Sequence, residues 1–358
     1  MYLRRVDIRN FRCWERCRID PASGLNLIIG ENASGKTSLL EAIYFLGRAR
    51  SFRQTPPNRL IRRGADAFNL NAEVVSEDRR PLRIGIERKP GNTRLRLDGR
   101  EDVPLLDLVS ALPVQVIDPN IHRLLEEGPR HRRRYLDWGV FHVEHGFFPA
   151  WRRYRRALRQ RNGALRRGLP KTDVIVWDSE LVHAAKDVDA CRRSYLHALE
   201  RVLPEMVGEI LGEGEVVLDY HPGWPLDEDY GSALLHSLER DRRMGFTQHG
   251  PHRADLRVRV ASMTARDWVS RGQQKVLTAA LLLAQAALLD RRRGIRPVLL
   301  IDDLAAELGG TYRAAVMRAI GRLRGQCFLT FLDEALVPEG TGECAMFHVE
   351  HGRVRRGA

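Results

Sequence analysis

Along the first part of the chain, apolar and polar residues alternate with a two-residue period. In Leu3–Phe11, Val6, Ile8 and Phe11 alternate loosely with Arg4, Arg5 and Arg9, which predicts a strand at the edge of a sheet. Leu25–Ile29 (LNLII) is a short apolar run and predicts a buried strand. The period changes at Ser38–Leu46 (SLLEAIYFL), where apolar residues recur at helical spacing, with Gly47 read as the stop. Three alternating segments follow, Phe68–Val75, Leu82–Arg88 and Thr93–Leu97. Turn signals at Lys89-Pro90-Gly91-Asn92 and Asp98-Gly99 separate them, so a small antiparallel sheet is expected after the helix. Leu112–Ile117 reads as a further buried strand, ended by Asp118-Pro119.

From Ile121 to Arg243 strand alternation largely disappears. Charged, helical patterns replace it at Gly128–His145, Trp151–Arg167, Val174–Leu203, Pro204–Leu211 and Tyr230–Gly245. Strand character returns at Asp255–Val260. An apolar helix over Gln274–Leu289, a strand at Pro297–Ile301, a helix over Thr311–Leu323 and strands at Gln326–Phe331 and Cys344–His351 complete the chain. The second half therefore resumes a βαβ alternation begun before the helical stretch. The expected division is a head over residues 1–120, a helical lobe over 121–245, and the rest of the head over 246–358. No heptad persists long enough for an extended coiled coil.

Composition supports a folded chain: 43% of 358 residues are hydrophobic. No apolar run approaches the roughly 18 residues of a membrane span, and the N-terminus MYLRRVDIRNF does not read as a signal peptide. The five cysteines are scattered and complete no zinc spacing, so reduced thiols in the cytoplasm are expected. Net charge changes the picture more. It is +13, which favours a polyanionic partner. Only 5 of the 59 basic residues are lysine, so an arginine-rich composition explains part of the total. The clustering is more specific. Arg152–Lys171 holds nine basic residues and no acidic one, and Arg130, Arg132, Arg133 and Arg134 form a second cluster. Trp138, Trp151 and Tyr154 lie among them. Arg130, Arg132, Arg133, Arg134, Arg152, Arg153, Arg155 and Arg156 are the candidate nucleic-acid contacts, suited to backbone phosphates and not to base edges. Helix faces laced with ion pairs are the competing account.

The chemistry centres on Gly30–Ser38, GENASGKTS, which fits the phosphate-binding P-loop pattern between a strand and a helix. Gly30 and Gly35 give room for backbone N–H groups to meet phosphate oxygens. Lys36 would reach the β- and γ-phosphates of ATP, and the Thr37 hydroxyl would ligate Mg²⁺. The loop residues Glu31, Asn32, Ala33, Ser34 and Ser38 complete the candidate cofactor site. Leu299–Asp303 (LLIDD) is an apolar strand ending in two acids, a Walker-B arrangement. Asp302 would hold Mg²⁺, directly or through water, and Asp303 would face the attacking water as general base or orienter, with Lys36 the other candidate catalytic residue. Ser270-Arg271-Gly272-Gln273 opens a helix and is a second phosphate-binding element, explained most simply if it meets nucleotide held by another subunit. An N-cap serine is its plainer reading. The hexapeptide FHVEHG occurs twice, at Phe141–Gly146 and Phe347–Gly352. One copy has helical context and the other strand context, so metal binding by both is disfavoured.

Three motifs in this order, GENASGKTSLLEAI, SRGQQK and LLIDDLAAELG, resemble the ABC-type ATPase heads of SMC-like proteins. Asn10-Phe11-Arg12, LDWGVFH at Leu136–His142, QRNGALR at Gln160–Arg166 and HGPHRADLR at His249–Arg257 narrow the resemblance to the bacterial RecF family, over Leu3 to about Gly352. The resemblance implies an α/β, ABC-type P-loop ATPase head with a small antiparallel β subdomain and an inserted helical lobe. It implies slow ATP turnover used as a switch, an ATP-dependent homodimer, and engagement of DNA, both duplex and single-strand/duplex gaps. It also implies recombinase loading with the partners RecO and RecR, and cytoplasmic work in replication and repair without a membrane. An ABC transporter's ATPase subunit is the alternative. A small-molecule kinase would have no use for SRGQQ. The chain departs from the family pattern at Ala33, where glycine is usual, and at Asn120, Ala306 and Gly309. A methyl group at Ala33 is tolerable only at negative φ.

Overall fold

The strand expected at the sheet edge forms as β1 (Tyr2–Phe11), but it is an interior strand. The computed structural model describes residues 1–75, 80–212, 215–260, 263–268, 270–303, 309–337 and 343–357. A strand that the alternation did not reveal, β2 (Trp14–Ile19), pairs with β1 through a tight turn at Arg12 and Cys13. Its two consecutive exposed residues, Glu15 and Arg16, hide the period. β3 (Leu25–Ile29) leads into the glycine loop and α1 (Lys36–Arg48). The helix runs through Gly47 and stops at Ala49, whose left-handed backbone returns its N–H to the carbonyl of Phe45.

β4 (Phe68–Val75), β5 (Pro81–Lys89), β6 (Asn92–Leu97) and β7 (Arg100–Glu101) do not form a separate small sheet. They extend β1 and β2 into one six-stranded antiparallel sheet, ordered β2-β1-β4-β5-β6-β7. α2 (Leu105–Ala111) precedes β8 (Val114–Ile117).

Next come α3 (Arg123–Glu126), α4 (Pro129–Val143), α5 (Phe147–Arg166), α6 (Lys171–Ile175), α7 (Asp178–Glu200) and α8 (Leu203–Leu211). α5 begins four residues before the expected start, because Pro149 is tolerated in a first turn. The single helix expected over Val174–Leu203 is broken at Val176 and Trp177. β9 (Val216–His221) was not foreseen. α9 (Tyr230–Met244) ends at Gly245 in the left-handed region. β10 (Asp255–Val260), β11 (Met263–Thr264) and α10 (Ala265–Trp268) follow. The chain ends with α11 (Arg271–Arg293), β12 (Val298–Ile301), α12 (Gly310–Leu323), β13 (Cys327–Phe331), β14 (Cys344–Glu350) and β15 (Arg353–Arg356).

The chain divides into two units. One comprises Met1–Ile121, Glu209–Leu211 and Lys275–Ala358, and the other His122–Gly208 and Gly212–Gln274. The expected boundary at 245/246 is therefore corrected to 274/275. The reason is pairing. β10 does not rejoin the head but lies antiparallel to β9, in a three-stranded sheet β11-β10-β9 of the lobe.

In the head, a second sheet runs β15-β14-β3-β13-β12-β8, with β14, β3, β13, β12 and β8 parallel. α1 lies between the two sheets, which is why Leu39–Gly47 is buried throughout and not on one face alone. Phe11, Phe45 and Phe68 meet edge to face in this core, with centroids 5.1–6.3 Å apart. Arg12 clamps β1 to α1. Its guanidinium donates to both oxygens of the buried Glu41, at 2.8 and 3.0 Å, and to Thr55 at 2.7 Å. Ser51 donates to the same carboxylate.

Candidate functional site: the P-loop and its carboxylates

The loop sits where β3 ends between β13 and β14, at the C-terminal edge of a parallel sheet, where α/β folds collect ligands. The N–H of Gly30 donates to Phe331 of β13 at 3.2 Å, which fixes the loop's entry. A Cβ on Gly30 would lie 2.2 Å from the carbonyl oxygen of Val349 on β14, so glycine is required there by close approach. Gly35 has φ 121°, and a Cβ there would meet Cys13 Sγ at 3.0 Å and the Trp14 ring at 3.1 Å. The β1–β2 turn thus forms one wall of the loop.

Lys36 is buried and donates from Nζ to the carbonyls of Gly30 at 2.6 Å and Glu31 at 2.8 Å. Desolvation lowers its pKa, and Asp303 and Asp302 oppose that shift. Ser34 Oγ is buried without a partner among the described residues, a polar atom turned into the loop. Glu31, Asn32 and Ala33 are exposed, and Thr37 and Ser38 half-buried.

Ala33 does not keep the negative φ that its methyl group prefers: φ is 62°. The closed shape of the loop imposes this, and for an L-residue it costs about 1–2 kcal/mol. Ala33→Gly is expected to raise stability by a few tenths to about 1 kcal/mol in urea denaturation, after glycine's own entropy cost. A loss of stability would show that the methyl group makes contacts that outweigh the strain.

β12 ends at Ile301 and delivers the acids. Thr37 Oγ1 donates to Asp302 Oδ1 at 3.1 Å, joining the P-loop to the Walker-B strand. The sequence reading missed Thr330 of β13. Its hydroxyl donates to Asp302 Oδ1 at 3.0 Å and accepts the backbone N–H of Asp303 at 2.8 Å. No motif marks it; its role arises because β13 lies between β3 and β12. Asp303 takes φ 56°, which turns the chain sharply after the strand. Burial raises the pKa of Asp302, against the hydroxyl donors and the positive charge of Arg53.

Ser270-Arg271-Gly272-Gln273 is exposed at the start of α11. Its N–H groups are held in a reciprocal capping box: Ser270 N–H donates to Gln273 Oε1 at 3.0 Å, and Gln273 N–H to Ser270 Oγ at 3.4 Å. The N-cap reading is therefore realised. Gly309 is the N-cap of α12, and Asn120 closes an Asx turn by donating its N–H to Asp118 Oδ1 at 2.9 Å. Ala306 lies outside the described residues, as does the rest of 304–308.

The basic candidates separate by partner. Arg132 makes a two-pronged pair with Asp255, at 2.7 and 3.0 Å, and Arg133 donates to the carbonyl of Ala254 at 2.6 Å. Arg153 pairs with Glu180 at 2.9 Å and Asp187 at 3.2 Å. Arg130 is exposed and Arg134 half-buried. On α5 the buried face carries Tyr154, Ala157, Leu158, Arg161, Ala164 and Leu165, so Arg152, Arg155, Arg156, Arg159 and Arg166 form an exposed basic stripe. At 1.5 Å per residue it is about 20 Å long.

The lobe motifs converge on a different structure, a buried polar network. Arg161 donates to Asp178 at 2.7 Å, Asp241 at 2.6 Å and Thr247 at 2.8 Å, and Asn162 accepts from Thr247. Arg192 binds Asp137 at 2.8 Å and the carbonyl of Pro251 at 2.9 Å. Tyr154 meets His252 Nδ1 at 2.6 Å, and burial lowers the pKa of His252 to about 4. LDWGVFH, QRNGALR and HGPHR are thus pieces of one scaffold beneath the α5 stripe. The two FHVEHG copies have separate roles. In the first, Glu144 accepts from Ser194 at 2.9 Å. In the second, His348 pairs with Glu334, and the N–H of Gly352 donates to Ser34 of the P-loop at 3.3 Å.

Residues 2–355 match the profile of the RecF/RecN/SMC N-terminal domain. The chain is 41% identical to the DNA replication and repair protein RecF of Stutzerimonas stutzeri, over 99% of this chain and 97% of that protein. It is 42% identical to the RecF of Pseudomonas aeruginosa strain UCBPP-PA14, with the same coverage. Among solved structures it is similar to a recombination mediator protein RecF with ATP, from a RecFOR pathway. The TM-score is 0.89 at 26% identity, covering 100% of this chain and 98% of that one.

Proposed function

Because the chain belongs to the RecF family of DNA replication and repair proteins, we propose that it is an ATP-gated DNA-binding protein: two copies close over ATP, and the closed pair grips DNA. One observation carries this reading: at the C-terminal edge of a parallel sheet the buried Lys36 ammonium is turned onto the loop carbonyls of Gly30 and Glu31, and Thr37 beside it donates to Asp302 of the neighbouring acid-bearing strand. These residues fit a magnesium nucleotide. Lys36 and the loop N–H groups would hold phosphate oxygens, and Thr37 and Asp302 the Mg²⁺. When bound, the metal supplies charge neutralisation on the β- and γ-phosphates. Thr330 holds Asp302 in place and fixes the turn that projects Asp303, the residue that would orient water as general base.

Hydrolysis is slow and resets the pair. The exposed Ser270–Gln273 cap of one copy meets nucleotide on the other. Arg130, Arg152, Arg155 and Arg156 remain as phosphate contacts on the lobe; Arg132, Arg133, Arg134 and Arg153 already have partners. A similar solved structure is a RecF of the RecFOR pathway, which supports RecO and RecR as partners; the proposal extends this to recombinase loading at single-strand gaps in the cytoplasm. Family membership sets aside the transporter alternative.

Particle mass measured with ATP, with ADP and without nucleotide tests the reading, alongside filter binding of duplex DNA. The ATP sample is expected to double in mass and to retain DNA. Ser270→Arg is expected to keep ATP binding and lose both effects. A single-chain mass under all three conditions, with equal DNA retention in each, overturns the proposal.

A further inference from the structure

On the exposed face of the head's antiparallel sheet, Arg9 of β1 and Arg16 of β2 stand directly opposite one another. Like charges at opposed positions destabilise a sheet, with strands only about 4.8 Å apart. Elsewhere on these two strands the sheet avoids this. Arg4 pairs with Glu73 at 2.6 Å, Arg5 with Asp20 at 2.8 Å, and Arg18 with Asp20 at 3.9 Å and Asp7 at 4.0 Å. Arg9 and Arg16 have no carboxylate and no hydrogen bond among the described residues. The acid next to Arg16 in sequence, Glu15, is taken by Arg62 at 3.1 Å. On the other side of Arg9 stands Asn69 of β4, half-buried, with a side chain likewise unpartnered among the described residues. Arg16, Arg9 and Asn69 thus form a row across three neighbouring strands, two guanidinium forks and an amide. The next position of the row, Glu87 of β5, faces Lys89 at 3.3 Å and Arg96 at 3.7 Å, and Asp7, two residues along β1 on the same face, lies 4.0 Å from Arg18, so neither carboxylate pairs with Arg9 or Arg16.

We infer that this row is a second phosphate-binding site of the protein, on the head and separate from the α5 stripe, and that its ligand is the phosphodiester backbone of DNA. Two forks side by side match adjacent phosphate oxygens and read no base. The net charge of +13 favours the same polyanion. The site lies in the hairpin whose turn touches Gly35, so DNA held here is attached to the strand pair that walls the P-loop. The inference rests on the DNA-binding reading above.

Arg9→Gln with Arg16→Gln in the full chain tests it, using a duplex of about 25 base pairs over a range of salt. Expected are about tenfold weaker binding near 0.1 M salt and a salt-dependence slope reduced by about 2. ATP affinity should be unchanged and the melting temperature equal or higher, because repulsion is relieved. The sign of the last readout separates a ligand site from a structural role. Arg16→Lys should keep most of the affinity. Unchanged DNA binding and slope in a variant whose parent binds DNA overturns this inference alone. Absent DNA binding by the parent protein overturns both readings. A lowered melting temperature assigns the pair to holding the sheet and also overturns it. Inorganic tripolyphosphate is the competing source of the same chemistry. If it stabilises the parent but not the variant, while DNA binding is equal in the two, the DNA assignment is wrong.

Discussion

Lys36→Ala is expected to weaken ATP binding by about 100-fold or more, read by titration with a fluorescent ATP analogue. The side chain is the buried cation of the loop, and its neighbours show how it is held. Gly30 and Glu31 carbonyls accept from Nζ, and Asp302 and Asp303 support its charge against desolvation. Removing a buried charge-assisted contact to an anion costs about 2–5 kcal/mol, which sets the size of the loss. The fold should survive, because α1 is anchored by Leu39–Leu46 and by Glu41 with Arg12, not by the lysine. ATP binding within threefold of the parent would contradict the P-loop assignment. A collapse of the head's thermal transition would mean that the substitution reports folding and not phosphate contact.

Arg161→Ala is expected to destabilise the protein by about 3–5 kcal/mol in urea denaturation, the range for removing one partner of a buried ion pair. Arg161 and Asp241 are both fully buried, and Asp178 is mostly so. Without the guanidinium, two carboxylates face each other with no cation. Burial already raises the pKa of Asp178 with the arginine present, and removing the positive charge raises it further. A carboxyl whose pKa is higher folded than unfolded binds more protons in the native state, so its contribution to stability falls as pH rises through the folded value. The deficit should therefore be largest near neutrality and shrink as the pH is lowered towards the carboxylate range. A loss below about 1 kcal/mol, or one independent of pH, would show that the network is not what holds the lobe.

The same network explains where sequence reading fell short. The Arg152–Lys171 run has no acid within it, and that absence favoured nucleic acid as the partner. The acids come instead from α7 and α9: Glu180 and Asp187 for Arg153, Asp178 and Asp241 for Arg161. Two of the nine basic residues in the run are thus neutralised within the lobe. QRNGALR and HGPHR likewise have no local pattern that distinguishes a scaffold from a site. β9 went unread because its partner, β10, is remote in the chain, and a strand's identity depends on that pairing more than on its own residues.

What the sequence determined by itself is whatever depends on neighbouring residues: the strand–glycine–helix unit at Gly30–Ser38, the acids after an apolar strand at Asp302 and Asp303, and the capping pair Ser270 and Gln273. Backbone conformation and the physics of a helix N-terminus act over a few residues, and a short motif contains them whole. Only the tertiary structure could decide which arginines keep an unpaired charge, that Thr330 of β13 holds the two acids while Thr37 ties Asp302 to the P-loop, and that Arg9 faces Arg16. Each is a distance between strands or helices far apart in the chain, set by packing around α1 and by the order of strands in the sheets. Charge is a local property of a residue, but its neutralisation is a property of the fold.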